Sequence, residues 1–149
     1  MADGLVRSIA QGDFEQWRQL WQGYNDFYER TIPDAVTQMT WSRFFDAYEP
    51  VHALVAQRGE ALIGLAHYLY HRNTAMISPT SYLQDLFTSA AARGYGVGRA
   101  LIEAAAGKDR EAGSPRLYWM THETNETARR LYDAVAERSG FIQYRTNLA

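Results

Sequence analysis

Apolar positions recur along this chain at two spacings. Phe14, Trp17, Leu20, Trp21 and Tyr24 fall three or four apart, the stripe of a helix with one buried face, and Asp13 stands where its cap would be. A second, aromatic-rich helical stretch is expected over 36–48, after a loop at 31–34 and before Pro50. Residues 5–9, 51–57, 61–71, 82–88 and 117–121 read instead as strands, the third alternating and folding back on the second through Gly59. Helical spacing returns over 98–112 and 125–138, and residues 141–146 alternate as a last strand. The order β-α-α-β-β-β-α-β-α-β predicts one α/β domain over 1–149. Its mixed central sheet is flanked by helices, parallel where a long helix joins neighbouring strands and antiparallel in the middle hairpins.

Composition narrows the classes. The 149 residues are enough to bury a core. A net charge of −2 supplies no basic field for nucleic acid. No cysteine is present, which excludes disulfides, thiolate-bound zinc and a cysteine nucleophile and suits a cytoplasmic protein. The first residues lack a basic, then apolar, secretory leader. No apolar run approaches the ~18 residues of a membrane span.

The chemistry concentrates between the 82–88 strand and the helix after it. Arg93, Gly94, Tyr95, Gly96, Val97, Gly98 and Arg99 form a basic, glycine-rich turn that opens a helix. A helix N-terminus presents unbonded N–H groups and partial positive charge, which suits a pyrophosphate. The spelling is not that of a P-loop, because Gly98 is followed by Arg99 and Ala100 rather than Lys and Ser/Thr. It is not the dinucleotide fingerprint either, because the third glycine slot falls on Arg99 or Leu101.

With Arg93, Gly96 and Gly98 in its slots, the turn resembles the coenzyme A loop of the GCN5-related N-acetyltransferases, the GNAT superfamily. A second block agrees: Asn125 opens the last helix and Tyr132 follows seven residues later. The run from Tyr118 to Asn125 is similar to fungal histone and polyamine acetyltransferases. The resemblance implies acetyl-CoA as acyl donor and a splay between the fourth and fifth strands. Leu86, Phe87 and Thr88 would line the pantetheine arm. The turn from Arg93 to Arg99 would hold the pyrophosphate, with Asn125 a further cofactor contact. Tyr132 would be the acid that protonates the leaving thiolate. Taken alone, Asn125 also suits a helix cap and Tyr132 a core position.

Amine acetylation needs a proton removed, an oxyanion held and a thiolate protonated. A backbone N–H at Leu86 or Phe87 is expected to serve the oxyanion. The strand reads Leu83-Gln84-Asp85 where diamine acetyltransferases read Leu-Glu-Asp, so the usual base position is Gln84, an amide. Asp85, Glu123 and His122 are stand-ins. Alternation puts Asp85 on the opposite face from Gln84 unless a bulge re-aims the chain.

His67 and His71 share a strand face without a third ligand in register, so no metal site is expected. Asp26, Glu29, Asp34, Asp46 and Glu49 among Trp21, Tyr24, Phe27, Tyr28 and Trp41 suit a cationic acceptor. A small amine, a polyamine, an amino acid, an aminoglycoside or a basic peptide all fit the reaction. A non-catalytic acyl-CoA sensor or interaction module of the same fold is the alternative. The family's sheet usually ends in two strands. Residues 141–149 suffice for one, which leaves an open edge and leads to the expectation of a homodimer.

Overall fold

The computed structural model describes residues 4–149; the first three, part of the stretch read as lacking a leader, lie outside the described residues. The elements are β1 (Gly4–Ser8), α1 (Phe14–Phe27), α2 (Asp34–Arg43), β2 (Val51–Arg58), β3 (Ala61–His71), β4 (Thr80–Thr88), α3 (Val97–Glu111), β5 (Leu117–Tyr118) and α4 (Glu126–Val135). They fall in two compact units, one ending at Trp119 and one running from Met120 to Ala149. The first contains a five-stranded mixed sheet in the order β1-β2-β3-β4-β5. Its first four strands are antiparallel, and β5 runs parallel to β4 after the α3 crossover. This is the α/β class that the element order predicts.

Each face of the sheet carries one long helix. Trp17, Leu20, Trp21 and Tyr24 of α1 bury against Val55, Leu62 and Leu65, with Phe14, Trp41 and Phe44 packed around them. Side chains of this size contribute roughly 1.5–3 kcal/mol each on full burial. On the other face α3 buries Val97, Leu101, Ile102 and Ala105. It reaches the sheet at Gly64, where a Cβ would lie 2.9 Å from Val97 Cγ1 and 3.0 Å from the Phe87 carbonyl oxygen. Tyr70 Oη donates to Asp109 Oδ1 at 2.9 Å and ties the end of β3 to the same helix.

Several expectations are corrected. Asp13 stands at the N-cap position of α1 but makes no capping bond. Both its oxygens accept from the Arg7 guanidinium, at 2.7 and 2.9 Å, and Oδ2 also accepts the Ala10 N–H. The second helix stops at Arg43, not near residue 48. Phe44, Phe45 and Asp46 donate to carbonyls three residues back, and the Asp46 carboxylate takes the Tyr48 N–H, a local bond that competes with helix. The strand expected over 117–121 is only Leu117–Tyr118, paired with Ser81 and Tyr82. From Leu83 onward β4 has no β5 partner, which is where the splay was expected. Residues 141–146 form no strand. Alternation makes a strand only where a neighbouring backbone takes its N–H and C=O groups, and none does among the described residues.

Candidate active site

A one-residue irregularity in β4 shapes the site. Opposite β3, His67 pairs with Asp85 and Tyr68 pairs with Leu83, so Gln84 has no partner. A regular strand would put Leu83 and Asp85 on the same face. The extra residue turns Asp85 to the face of His67, which is the α1 side. Gln84 is left exposed. Gln84, at the position where the resemblance places a base, faces solvent, and the carboxylate of the next residue is brought inward.

Asp85 is held by a buried chain of donors. Trp17 Nε1 lies 3.0 Å from His67 Nε2, and His67 Nδ1 lies 2.9 Å from Asp85 Oδ2. An indole N–H can only donate, so His67 Nε2 presents its lone pair and the ring proton sits on Nδ1, aimed at Asp85. His67 and Asp85 are 4% and 7% exposed, and Trp17 is fully buried. Burial raises the Tyr24 hydroxyl far above the usual phenol range, and the neighbouring Asp85 carboxylate raises it further. Tyr24 thus stays neutral. The His67 Nδ1–H fixes this carboxylate against the aromatic wall of α1.

The next residues of β4 bring a second device. Ser89 donates its N–H to Ile63 of β3. By alternation Phe87 also faces β3, while Leu86 and Thr88 turn to the opposite edge, the one β5 leaves after Tyr82. Leu86, not Phe87, is therefore the strand residue whose N–H faces the splayed edge. Thr88 agrees with this assignment, since its carbonyl accepts Arg93 Nε at 3.2 Å.

The basic turn then closes into α3. Gly94 and Gly96 both have positive φ, at 86° and 82°, and Gly96 is the N-cap. No side chain caps this end, and no acidic residue stands in the first turn. The first intrahelical acceptor, the Gly96 carbonyl, serves Ala100. The N–H groups of Val97, Gly98 and Arg99 thus lack helical acceptors, in a turn that carries a cationic Arg99, an arrangement suited to an anion. Val97 is buried over Gly64, which anchors the turn to the sheet. The Arg93 guanidinium lies 5.9 Å over Phe27 and 5.6 Å over Phe87. Tyr95 is exposed.

The remaining candidates have varied surroundings. In the second unit Asn125 caps α4, accepting the Ala128 N–H at 3.4 Å. Tyr132 lies within α4 and is half-buried. His122 Nδ1 contacts the Thr124 hydroxyl at 2.7 Å, and Arg129 binds the Glu123 carbonyl. In the first unit His71 Nε2 meets the Tyr118 hydroxyl at 2.7 Å. The acidic residues near the aromatic helices serve the surface: Asp26 takes Gln22, while Asp34 and Glu49 lie 3.8 Å from Arg18 and Arg43. Sequence reading missed the Trp17–His67–Asp85 chain. It also passed over Arg30, whose guanidinium lies across Trp21, Tyr24 and Tyr28.

Comparison with known proteins gives one direction. The sequence model of the Acetyltransferase (GNAT) family matches residues 14–136. The chain is 35% identical over 146 residues to the D-amino-acid N-acetyltransferase HPA3 of Saccharomyces cerevisiae, covering 96% of this chain and 90% of the yeast protein. Its fold is similar to that of a ribosomal-protein-alanine N-acetyltransferase from Brucella melitensis biovar Abortus, with a TM-score of 0.81 at 18% identity over 97% of this chain and 99% of the other. It is similar also to AAC(6')-Iy in complex with the bisubstrate analogue CoA-S-monomethyl-acetylneamine, with a TM-score of 0.82 at 18% identity over 98% and 99%.

Proposed function

The chain belongs to the acetyltransferase (GNAT) family and is an acyltransferase, and from that premise we propose that it moves an acetyl group from acetyl-CoA to a primary amine by direct attack in a ternary complex. The observation that carries this reading is the order along β4: a buried carboxylate at Asp85, the splayed-edge N–H at Leu86, and then the open N-terminus of α3. One strand thus supports proton removal, oxyanion binding and pyrophosphate binding in succession.

In this mechanism the Val97, Gly98 and Arg99 N–H groups hold the pyrophosphate, while Leu86, Phe87 and Thr88 line the pantetheine arm. Asp85 takes the proton from the acceptor's ammonium, directly or through water. The freed nitrogen forms a bond to the thioester carbon, and the carbonyl oxygen, now anionic, accepts from the Leu86 N–H. As the C–S bond breaks, the thiolate takes its proton from Tyr132, the role the family resemblance gives that residue, with Asn125 as a further cofactor contact. His67 keeps its proton throughout, because its second nitrogen already accepts from Trp17. It positions Asp85 rather than relaying protons. The acceptor is a small-molecule amine or a basic peptide, and HPA3 by its name acts on D-amino acids. The same reading has the enzyme work in the cytoplasm. It pairs two copies through the exposed apolar side chains of Phe141, Ile142 and Tyr144, which suit a covered interface.

Thiol release from acetyl-CoA across a panel of amines tests the proposal. Amine-dependent release is expected, and Asp85→Asn should lower kcat by about 10²–10⁴-fold, the range of a general base. Release that never depends on an amine would overturn acetyl transfer. An unchanged kcat in Asp85→Asn would remove Asp85 from the chemistry and leave the family activity standing.

A further inference from the structure

Beside Asp85 the α1 face of the sheet carries a second group of side chains that the acetyl transfer described above leaves unused. Leu69 of β3 pairs with Tyr82, and His67 pairs with Asp85. The extra residue, Gln84, lies in β4, so Leu69 and His67 stay two residues apart on one face of β3. Tyr82 therefore shares that face with Asp85, at about 7 Å, the rise of two residues in an antiparallel strand. In a regular β4 these two residues, three apart in sequence, would point to opposite faces. The slip that turns Asp85 inward thus also sets a tyrosine beside it.

Tyr82 is one half of a wall. Its partner across β4 and β5 is Tyr118, and the two rings stack at 4.9 Å with 15° between their planes. Tyr118 is held in turn by His71, which follows Leu69 on the same face of β3. His71 Nδ1 lies 2.8 Å from the Arg72 carbonyl oxygen, which can only accept. In the neutral imidazole Nε2 therefore accepts the Tyr118 O–H, at 2.7 Å. The His71 and Tyr118 rings also meet edge to face at 5.7 Å. The cover of the helices stops short of this wall. Trp17, Trp21 and Phe44 lie 6.0, 5.2 and 4.9 Å from the His67 ring, whereas Leu69, Tyr82 and Tyr118 are half-buried and His71 is exposed.

From this arrangement we infer that the acceptor is an arylalkylamine, whose ammonium meets Asp85 and whose aromatic ring packs on the Tyr82–Tyr118 wall. The inference rests on the acetyl-transfer reading and names its substrate class. A short alkyl linker spans the distance that the register sets between carboxylate and wall. Packing of ring on ring adds roughly two- to tenfold in affinity beyond the area buried. Leu69, His71, Tyr82 and Tyr118 include no carboxylate, so the second ammonium of a polyamine would lose water there without gaining a counter-ion.

Steady-state kinetics with acetyl-CoA tests this on a matched series: phenethylamine, its saturated counterpart cyclohexylethylamine, ethylamine and spermidine. With rates referred to the free-amine fraction, the wild type should prefer phenethylamine to cyclohexylethylamine by roughly two- to tenfold in kcat/KM. It should prefer phenethylamine to ethylamine by about tenfold or more. Tyr82→Leu keeps an apolar side chain without the ring. It should raise KM for phenethylamine by roughly two- to tenfold with kcat little changed, so that the aromatic preference collapses. His71→Gln, at an exposed position, should free Tyr118 and raise the same KM by less. Thermal melts confirm that both variants fold, and the wild-type series decides by itself if Tyr82→Leu does not. Equal turnover of aromatic and saturated amine, a preference for spermidine, or a Tyr82→Leu loss shared by every amine overturns the inference and leaves acetyl transfer standing. No amine-dependent turnover of any kind overturns both.

Discussion

Asp85 and Gln84 differ by one position and by opposite fates. Gln84 occupies the slot where the resemblance places a base, yet the bulge leaves it exposed. Gln84→Glu should therefore change kcat by less than about threefold, well under the range of a working base. A stability prediction belongs at Glu29. Its φ of 54° costs an L-residue roughly 1–2 kcal/mol, and glycine lacks that cost while losing more entropy on folding. Glu29→Gly should raise the melting temperature by a few degrees. A lower value would show that Glu29 is held there by contacts worth more than the strain.

The N-terminal turn of α3 and the middle of β3 act together as elements. Gly64 is the point of closest approach, and a methyl group there meets Val97, Leu101 and the Phe87 backbone. Gly64→Ala should force the start of α3 outward and destabilise the protein by about 1–3 kcal/mol, the usual range for overpacking. The displaced turn should also weaken CoA binding, measured by calorimetry on protein that remains folded. Affinity equal to wild type would show that the turn binds independently of its seat on the sheet. Gly96→Glu tests the turn directly: its left-handed φ strains any side chain, and an anion there repels a pyrophosphate. Unchanged CoA affinity in that variant would move the cofactor elsewhere.

For the molecule as a whole, acid stability follows from charges fixed by folding. Hydrogen bonds from Arg7 hold the Asp13 carboxyl below its ordinary range. A carboxyl lowered by folding adds stability above its unfolded pKa, near 4, and loses it as pH falls through the lower folded value. Asp13→Asn should cost about 1–2 kcal/mol at pH 7 and progressively less below pH 4 in denaturant melts. A constant difference across that range would mean that packing, not charge, is lost. The sequence determined whatever depends on neighbours along the chain. The stripe from Trp17 to Tyr24, the β2–β3 turn at Gly59 and the glycine spacing that opens α3 are local patterns, and each was legible. The strand at 141–146 was misread because alternation describes side chains, whereas a strand needs a backbone partner. The tertiary structure alone decided the chemistry on the α1 face. His67 lies 18 residues from Asp85 and 50 from Trp17, and only the pairing of β3 with β4, slipped by one residue at Gln84, brings them together. Register is a property of two strands, and no single stretch of sequence contains it.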